Sequence, residues 1–495
     1  MKNKYKILVV FCFTGLTLVF SSCKDFLNVT PVDNLSGNNY WKTVEDVEAY
    51  TAGIYSRFRD ATMTNMFFPA TGDMRGAPVK PNVNGREYIT ELRQNNLKAY
   101  LARDGSFFGF QRPTQWDDFY NMVQSANILY EQMDRLEPGV LSETDRVKYR
   151  AEAVFLRNLA YFFMVRLYGD VPYYTDAYNS EPLPRMNQIE VLDNCIADLM
   201  AVKNDLPWTF DDPSIVAVRA MRGSAIALLM HMNMWNAGFA EEKTPYYEAT
   251  AKLGDEILNN PGAYELLPLE ETKEIFKGRT KEGLFEILQS LNYGERFSIV
   301  AQFSDYVLHY PNKITTKSYV SYDPKFMDEI YPLTAIDRRK EIWFDEDMYN
   351  TDGSMQLLKF VNIFAEEGED QNPDDNQVVF RYADVILLHA EALAELGRDE
   401  EARTSVNMIR ERAGATAFTS SGQQLKDNIY WERCRELMGE GHYFYDLVRT
   451  KKAVDSDYSF APIGVDAFNR GAWTWPIDES AMDNNPYMVL NNYWR

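Results

Sequence analysis

Ala390-Glu391-Ala392-Leu393-Ala394-Glu395-Leu396-Gly397-Arg398-Asp399-Glu400-Glu401-Ala402 is the stretch that decides how this 495-residue chain folds. Small residues along the first half, a glycine in the middle and an alanine soon after it let two helices cross at short range. Apolar residues keep helical spacing upstream through residues 382–396. The same spacing resumes at Asp399 and runs to Ala413-Gly414. The stretch is therefore read as a helix, a turn and a second helix.

The same grammar recurs. Residues 217–258 place Ala237-Gly238 at a turn and open a second helix with Tyr246-Tyr247-Glu248-Ala249. Residues 115–168 form a looser pair, broken by Pro138-Gly139 and restarted with Ser142 as a cap. Its second helix, from Ala151 to Leu167, is apolar on most sides and should be buried among other helices. Gly169 and Pro172 end it. Further helices are expected over 41–59, 186–205, 214–236, 245–258 and 423–438, and a short buried strand over 284–288. The spacing is irregular because long insertions separate the units. The fold class is mainly α: a tetratricopeptide-like scaffold of about four helix pairs, with a large irregular, loop-rich region.

Charge excludes one class of partner. The chain has 73 Asp and Glu against 51 Lys and Arg, a net charge of −22. Such a surface repels phosphate backbones, so nucleic acid is not expected as a partner. The four cysteines, Cys12, Cys23, Cys195 and Cys434, show neither a CxxC nor a zinc spacing. Cys195 and Cys434 read as two separate small thiols, with a disulfide left open.

The first residues read as targeting rather than fold. Lys2, Lys4 and Lys6 precede an apolar run over 7–20, and Ser21-Ser22-Cys23 follows. This is a basic region, a short apolar core and small residues before a cysteine. The run is too short for a comfortable membrane span. The placement of Cys23 is similar to a bacterial lipobox, in which the cysteine is acylated and becomes the new terminus. The expected organisation is a lipoprotein signal peptide over 1–22, a lipidated tether over 23–40 and a domain over 41–495. The parts 41–290 and 291–495 of that domain are expected to fold as one unit.

Five further pieces carry a family resemblance. They are Arg166-Leu167-Tyr168-Gly169-Asp170-Val171-Pro172, Arg381-Tyr382-Ala383-Asp384-Val385, and Val406-Asn407-Met408-Ile409-Arg410-Glu411-Arg412-Ala413-Gly414. With them stand Glu432-Arg433-Cys434-Arg435-Glu436-Leu437 and, near the end, Trp475-Pro476-Ile477 with Asn485-Pro486. In this order and spacing the chain resembles the SusD/RagB family of outer-membrane nutrient-binding lipoproteins over nearly its whole length. The resemblance implies a glycan-binding lipoprotein of the cell outer membrane, surface-exposed and lipid-anchored. It also implies a partner, a SusC-like TonB-dependent transporter, to which captured oligosaccharide or polysaccharide is delivered. No catalytic residue, metal or cofactor is expected.

Sugars present an apolar C–H face and a rim of hydroxyls, so flat rings beside amides, acids and guanidinium groups are the chemistry to seek. In the resembling family, ligand commonly sits between loops equivalent to 67–113 and 292–319. On that basis Asp73, Arg75, Phe108, Phe110, Asn292, Tyr293 and Tyr310 are the expected contacts. Trp116 is read as core. The dense group Glu432, Arg433, Arg435, Glu436, Glu440, His442 and Asp446 is read as an ion-pair network rather than a metal or catalytic site. Arg150, Arg157 and Arg166 are read as structural ties. The run Glu366, Glu367, Glu369, Asp370, Asp374 and Asp375 is read as a solvated acidic loop rather than a calcium site, for want of a Ca²⁺-loop pattern. Two alternatives stay open: peptide uptake within the same family, and glycoside hydrolysis, for which no pair of carboxylates stands out.

Overall fold

The computed structural model describes residues 40–495 except Asp104, Ser106, Pro261, Leu291, 293–296, 346–347, 363–374 and Asn484. The tether, Cys23 and most of the acidic run therefore lie outside the described residues.

The helices follow the periodicity closely. They are α1 (Val44–Thr62), α2 (Asp117–Arg135), α3 (Glu143–Tyr168), α4 (Gln188–Val202), α5 (Arg222–Phe239), α6 (Thr244–Leu258), α7 (Tyr382–Glu395), α8 (Asp399–Arg412), α9 (Gly422–Glu436) and α10 (Tyr443–Arg449). Thr43 and Asp46 form a capping box at the start of α1, and Ser142 accepts from the Asp145 N–H at the start of α3. Gly169, at φ +71°, stops α3.

Each helix packs on its predecessor from α1 to α9, and α10 lies against α5. α3 is buried on every side from Ala151 to Tyr168, which its continuous apolar sequence requires. The repeat pairs cross at small residues. A Cβ on Gly254 of α6 would fall 2.4 Å from the His389 ring of α7, so only glycine fits that crossing.

Two short antiparallel ladders join distant parts of the chain. β1 (Val79–Pro81) pairs with β3 (Val320–Tyr322), and β2 (Gly283–Ile287) pairs with β4 (Gln377–Arg381). Phe285 of β2 packs into rings from α1 and α3, with centroids 6.1 Å from Phe58 and 5.1 Å from Phe155. The strand expected over 284–288 is thus present, shifted by one residue.

The charged group of the last third forms a buried network. Arg339 reaches Asp337 at 2.7 Å, Glu432 at 2.7 Å and Glu436 at 2.9 Å. Arg381 reaches Glu282 at 2.8 Å, Glu436 at 2.8 Å and Glu440 at 2.7 Å. Arg410 and Arg412 add contacts to Glu432, Glu282 and Glu436. Burial raises these carboxyl pKa values, but the guanidinium groups outweigh it. Arg339, Arg435 and Arg410 bring Glu432 down to about 2. Arg412, Arg381 and Arg339 hold Glu436 lower still. The carboxylates stay ionised because each is matched by several cations.

The other arginines take mixed roles. Arg157 pairs with Asp198 at 2.6 Å and donates to Asn127 at 2.8 Å. Arg166 instead lies among Phe162, Phe163 and Tyr445, 4.2 to 4.4 Å from their centroids. Burial lowers its pKa to about 10. Cys195 and Cys434 are both free thiols. Trp116 is buried.

Residues 66–79 turn inward, against the expectation of a surface loop. Met66, Phe67, Phe68, Ala70, Met74, Ala77 and Val79 all join the core. The segment passes the 439–441 turn so closely that a Cβ on Gly72 would sit 2.4 Å from the Gly441 carbonyl oxygen. Gly72→Ala should therefore cost about 2–3 kcal/mol, because the obstacle is backbone and cannot rotate away. A urea unfolding curve checks this; an unchanged midpoint would mean that the two segments move apart freely.

Candidate ligand-binding site

The β1–β3 ladder brings the two loop regions together. Val79 stands opposite Tyr322, Lys80 opposite Ser321 and Pro81 opposite Val320. Asn82 extends the tie: its backbone N–H donates to the Tyr319 carbonyl at 2.9 Å. Its side-chain amide donates to the Ser318 carbonyl at 3.1 Å and to Ser321 Oγ at 2.7 Å.

Beyond the ladder the two loops share a set of rings around one cation. The Arg86 guanidinium lies 4.2 Å from the Tyr319 centroid and 5.0 Å from Phe108, and donates to the Tyr88 hydroxyl at 3.2 Å. Partial burial pulls the Arg86 pKa down, but the Tyr88 and Tyr319 hydroxyls more than offset this and leave it raised. Phe108 stacks on Phe110 with centroids 5.4 Å apart. Phe107 meets Phe108 edge-on at 5.1 Å and is 54% exposed. On the second loop Tyr310 is 53% exposed, and its backbone N–H donates to the Thr315 carbonyl at 2.8 Å. Phe107 and Tyr310 are large rings held in water by short, well-tied loops, which is the arrangement a sugar face needs.

The ladder has a second face to solvent. A cleft of about 610 Å³ opens beside Lys80 and is lined by Phe326, Trp431, Tyr443, Tyr458 and Phe460. Trp431 and Tyr458 stack there at 5.5 Å. Lys80 pairs with Asp323 at its edge, 3.1 Å apart.

The expected contacts divide sharply. Asp73 is 4% exposed and Arg75 0%, so both are corrected to scaffold. Asp73 Oδ1 accepts the Gly441 N–H at 2.8 Å. Burial raises the Asp73 pKa to about 7, with the Gly441 N–H opposing. Arg75 donates to the Ala472 carbonyl at 2.8 Å and lies 4.2 Å from the Phe444 centroid. Phe110 is also interior, closed in by Tyr88 and Tyr100, and supports Phe108 from beneath. Phe108 is half-buried, and Asn292 and Tyr310 are exposed. Tyr293 lies outside the described residues. Arg86 was not singled out from the sequence: one arginine after Asn84-Gly85 looks like an ordinary turn residue, and nothing local announces three rings around it.

One group of metal-type side chains occurs among the described residues. His231, Asp384 and His442 hold possible ligand atoms within 4.8 Å of one another. Their chemistry is already spoken for. Asp384 Oδ2 takes His231 Nε2 at 2.6 Å and Oδ1 takes Arg433 at 2.8 Å. A guanidinium in contact with the carboxylate repels a second cation, so the group is the end of a second chain of ion pairs that runs from His231 and Asp384 through Arg433 to Asp446.

Sequence and structure comparisons place this geometry in a family. Residues 344–494 match the model described as "SusD family", and residues 84–233 match one described as "Starch-binding associating with outer membrane". A crystal structure of a SusD homolog from Bacteroides thetaiotaomicron is 41% identical and superposes with a TM-score of 0.85. That match covers 92% of this chain and 99% of the other. The chain belongs to the SusD family. A SusD-like protein of Formosa agariphila is 26% identical over 99% of both chains. A structure titled "Laminarin binding SusD-like protein" is 23% identical with a TM-score of 0.70, over 91% of this chain and 99% of that one, and shows the shared fold.

Proposed function

We propose that this SusD-family chain captures glycan at the cell surface without cleaving it and delivers it to a SusC-like TonB-dependent transporter. In this reading Cys23 carries the lipid anchor and the loops at 82–110 and 306–319 hold the sugar. The observation that carries the proposal is the ring set around Arg86. Two loops distant in sequence are fixed by one ladder, and Phe107, Phe108, Tyr310 and Tyr319 stand at or near the surface beside amide and hydroxyl groups. The laminarin-binding protein of the same fold supports the class of ligand, and the match to a starch-binding outer-membrane model supports both ligand class and place.

Calorimetry and affinity electrophoresis on the protein from residue 24 onward test it, with neutral polysaccharides, peptides as controls and chromatography of any products. Saturable binding to one polysaccharide without product is expected. Tyr319→Ala and Phe107→Ala should each weaken it by about two- to tenfold, since a ring contact contributes roughly 0.5–1.5 kcal/mol. Shorter sugars among the products would refute the capture reading, and peptide binding without sugar binding would replace the ligand.

A further inference from the structure

A second cleft, of about 650 Å³, lies away from the ring platform. It runs between the end of α3, the turn before α4, the end of α5 and residues 468–495. Four cations line it: Arg185, Lys451, Arg470 and Arg495. None of them makes an ion pair with any described residue, in a chain where acids outnumber bases by 73 to 51. In the last third of the chain Arg339, Arg381, Arg410, Arg412, Arg433 and Arg449 are each matched to carboxylates, and what sets the cleft apart is that four cations without such a match share one wall.

Lys451, Arg185 and Arg470 lie against rings and an amide, Arg495 donates to the Leu490 carbonyl at 3.0 Å, and Asp170 is the acid whose charge acts on Arg185. The Lys451 ammonium lies 3.4 Å from the Phe239 centroid and 4.9 Å from Phe468. Burial first and Lys243 second bring its pKa down to about 8, as befits a cation without an anion beside it. Arg185 bonds Asn491 Oδ1 and lies 5.4 Å from the Trp116 centroid, while its Nε is buried without a partner. Among the described residues the Arg470 guanidinium meets the Tyr493 ring, at 5.9 Å. Asp170, also in the lining, accepts the Gln188 backbone N–H at 2.9 Å and its charge partly offsets the burial of Arg185, which leaves four cations against one acid among the described residues of the wall.

We infer that this cleft is a separate subsite for an anionic saccharide, one bearing carboxylate or sulfate groups. Guanidinium groups bind planar oxyanions through paired N–H donors, and a walled cleft concentrates the field of several like charges. The volume suits a small oligosaccharide rather than a bare ion. Gln188, Asn469 and Asn492 supply amides for hydroxyl groups, and Tyr487, 56% exposed, supplies a ring at the rim. The saccharide half of the inference rests on the capture reading above; the anionic half rests on the cleft alone.

The experiment titrates the protein from residue 24 onward with tetragalacturonate, a sulfated disaccharide, a neutral polysaccharide and vesicles containing anionic phospholipid. Variants are Lys451→Asn with Arg470→Gln, and Tyr319→Ala. Asn tolerates the left-handed backbone that Lys451 adopts at φ +62°, so the double variant keeps its fold, which a melting curve verifies. An acidic sugar should bind more weakly as salt rises and lose about tenfold or more in the double variant, while Tyr319→Ala leaves it unchanged. The neutral polysaccharide should show the reverse pattern. Failure of both acidic sugars to bind, binding that survives the double variant, or vesicle binding in their place would overturn the inference. Neutral binding intact beside such a failure would leave the capture reading standing. Acidic binding in the cleft without any neutral binding would do the opposite.

Discussion

Glu436→Ala is expected to destabilise the protein by about 3–5 kcal/mol, enough to leave much of it unfolded under mild denaturant. The carboxylate is fully buried and reaches Arg339, Arg381 and Arg412. Removing it leaves three guanidinium groups out of water, to be shared among Asp337, Glu282, Glu432 and Glu440. Glu436→Gln keeps the volume and should fall between the wild type and Ala. The contrast is Lys281→Ala, which removes a pair with Glu265 at 3.4 Å where both side chains are exposed. That change should cost less than about 1 kcal/mol. Urea midpoints of the three variants decide the matter. If Glu436→Ala behaved like Lys281→Ala, the network would not be what holds the last third of the chain together.

The second large effect is a dependence on pH. Burial raises Asp73 and Glu286 to about 7. Their folded values exceed the unfolded ones, so their contribution is complete at acidic pH and is lost as pH rises toward and through 7. His442 works the other way: burial lowers it to about 4, so its contribution is present above about 6.5 and is lost as pH falls toward 4. His442 offsets only one of the two carboxyls between pH 4 and 7, so these three groups together should make stability decline as pH rises through that range. Below pH 4 Glu432 and Asp446 start to take up protons. Burial raises both, but arginines outweigh it and hold each at about 2. Stability should then fall steeply. Asp73→Asn isolates one component. The variant should gain on wild type as pH rises from 4 to 8, by on the order of 3 kcal/mol, while Asn Oδ1 still accepts the Gly441 N–H. Parallel curves for the two proteins would mean that Asp73 reaches solvent.

Most of the scaffold was legible because its signals are local. Ser142, Gly169 and the 390–402 stretch state their roles within a few residues. The charged group at 432–446 carries so many complementary charges in a short span that a network is its natural reading. The interior positions of Asp73 and Arg75 were not legible. Their partners, Gly441 and Ala472, lie 368 and 397 residues away in the chain. Viewed locally, Gly72, Gly76 and Pro78 spell an exposed loop. The cationic cleft was hidden for the same reason: Arg185, Lys451, Arg470 and Arg495 meet only through the fold. Of the rings around Arg86, the sequence reading singled out Phe108 among its expected contacts, while Arg86 itself was not legible because Tyr319 reaches it from more than 200 residues away.

The β1–β3 ladder constrains how such a protein diversifies. Three residue pairs deliver both loops proposed to hold sugar to one place, so either loop can be rewritten in length or composition while the helices stay as they are. A change inside the ladder is another matter. A slip of one residue would turn Lys80 and Ser321 to the opposite face and carry both loops out of alignment. New ligand preferences should therefore arise as insertions and replacements within 83–110 and 306–317. The ladder itself is the socket into which they are exchanged.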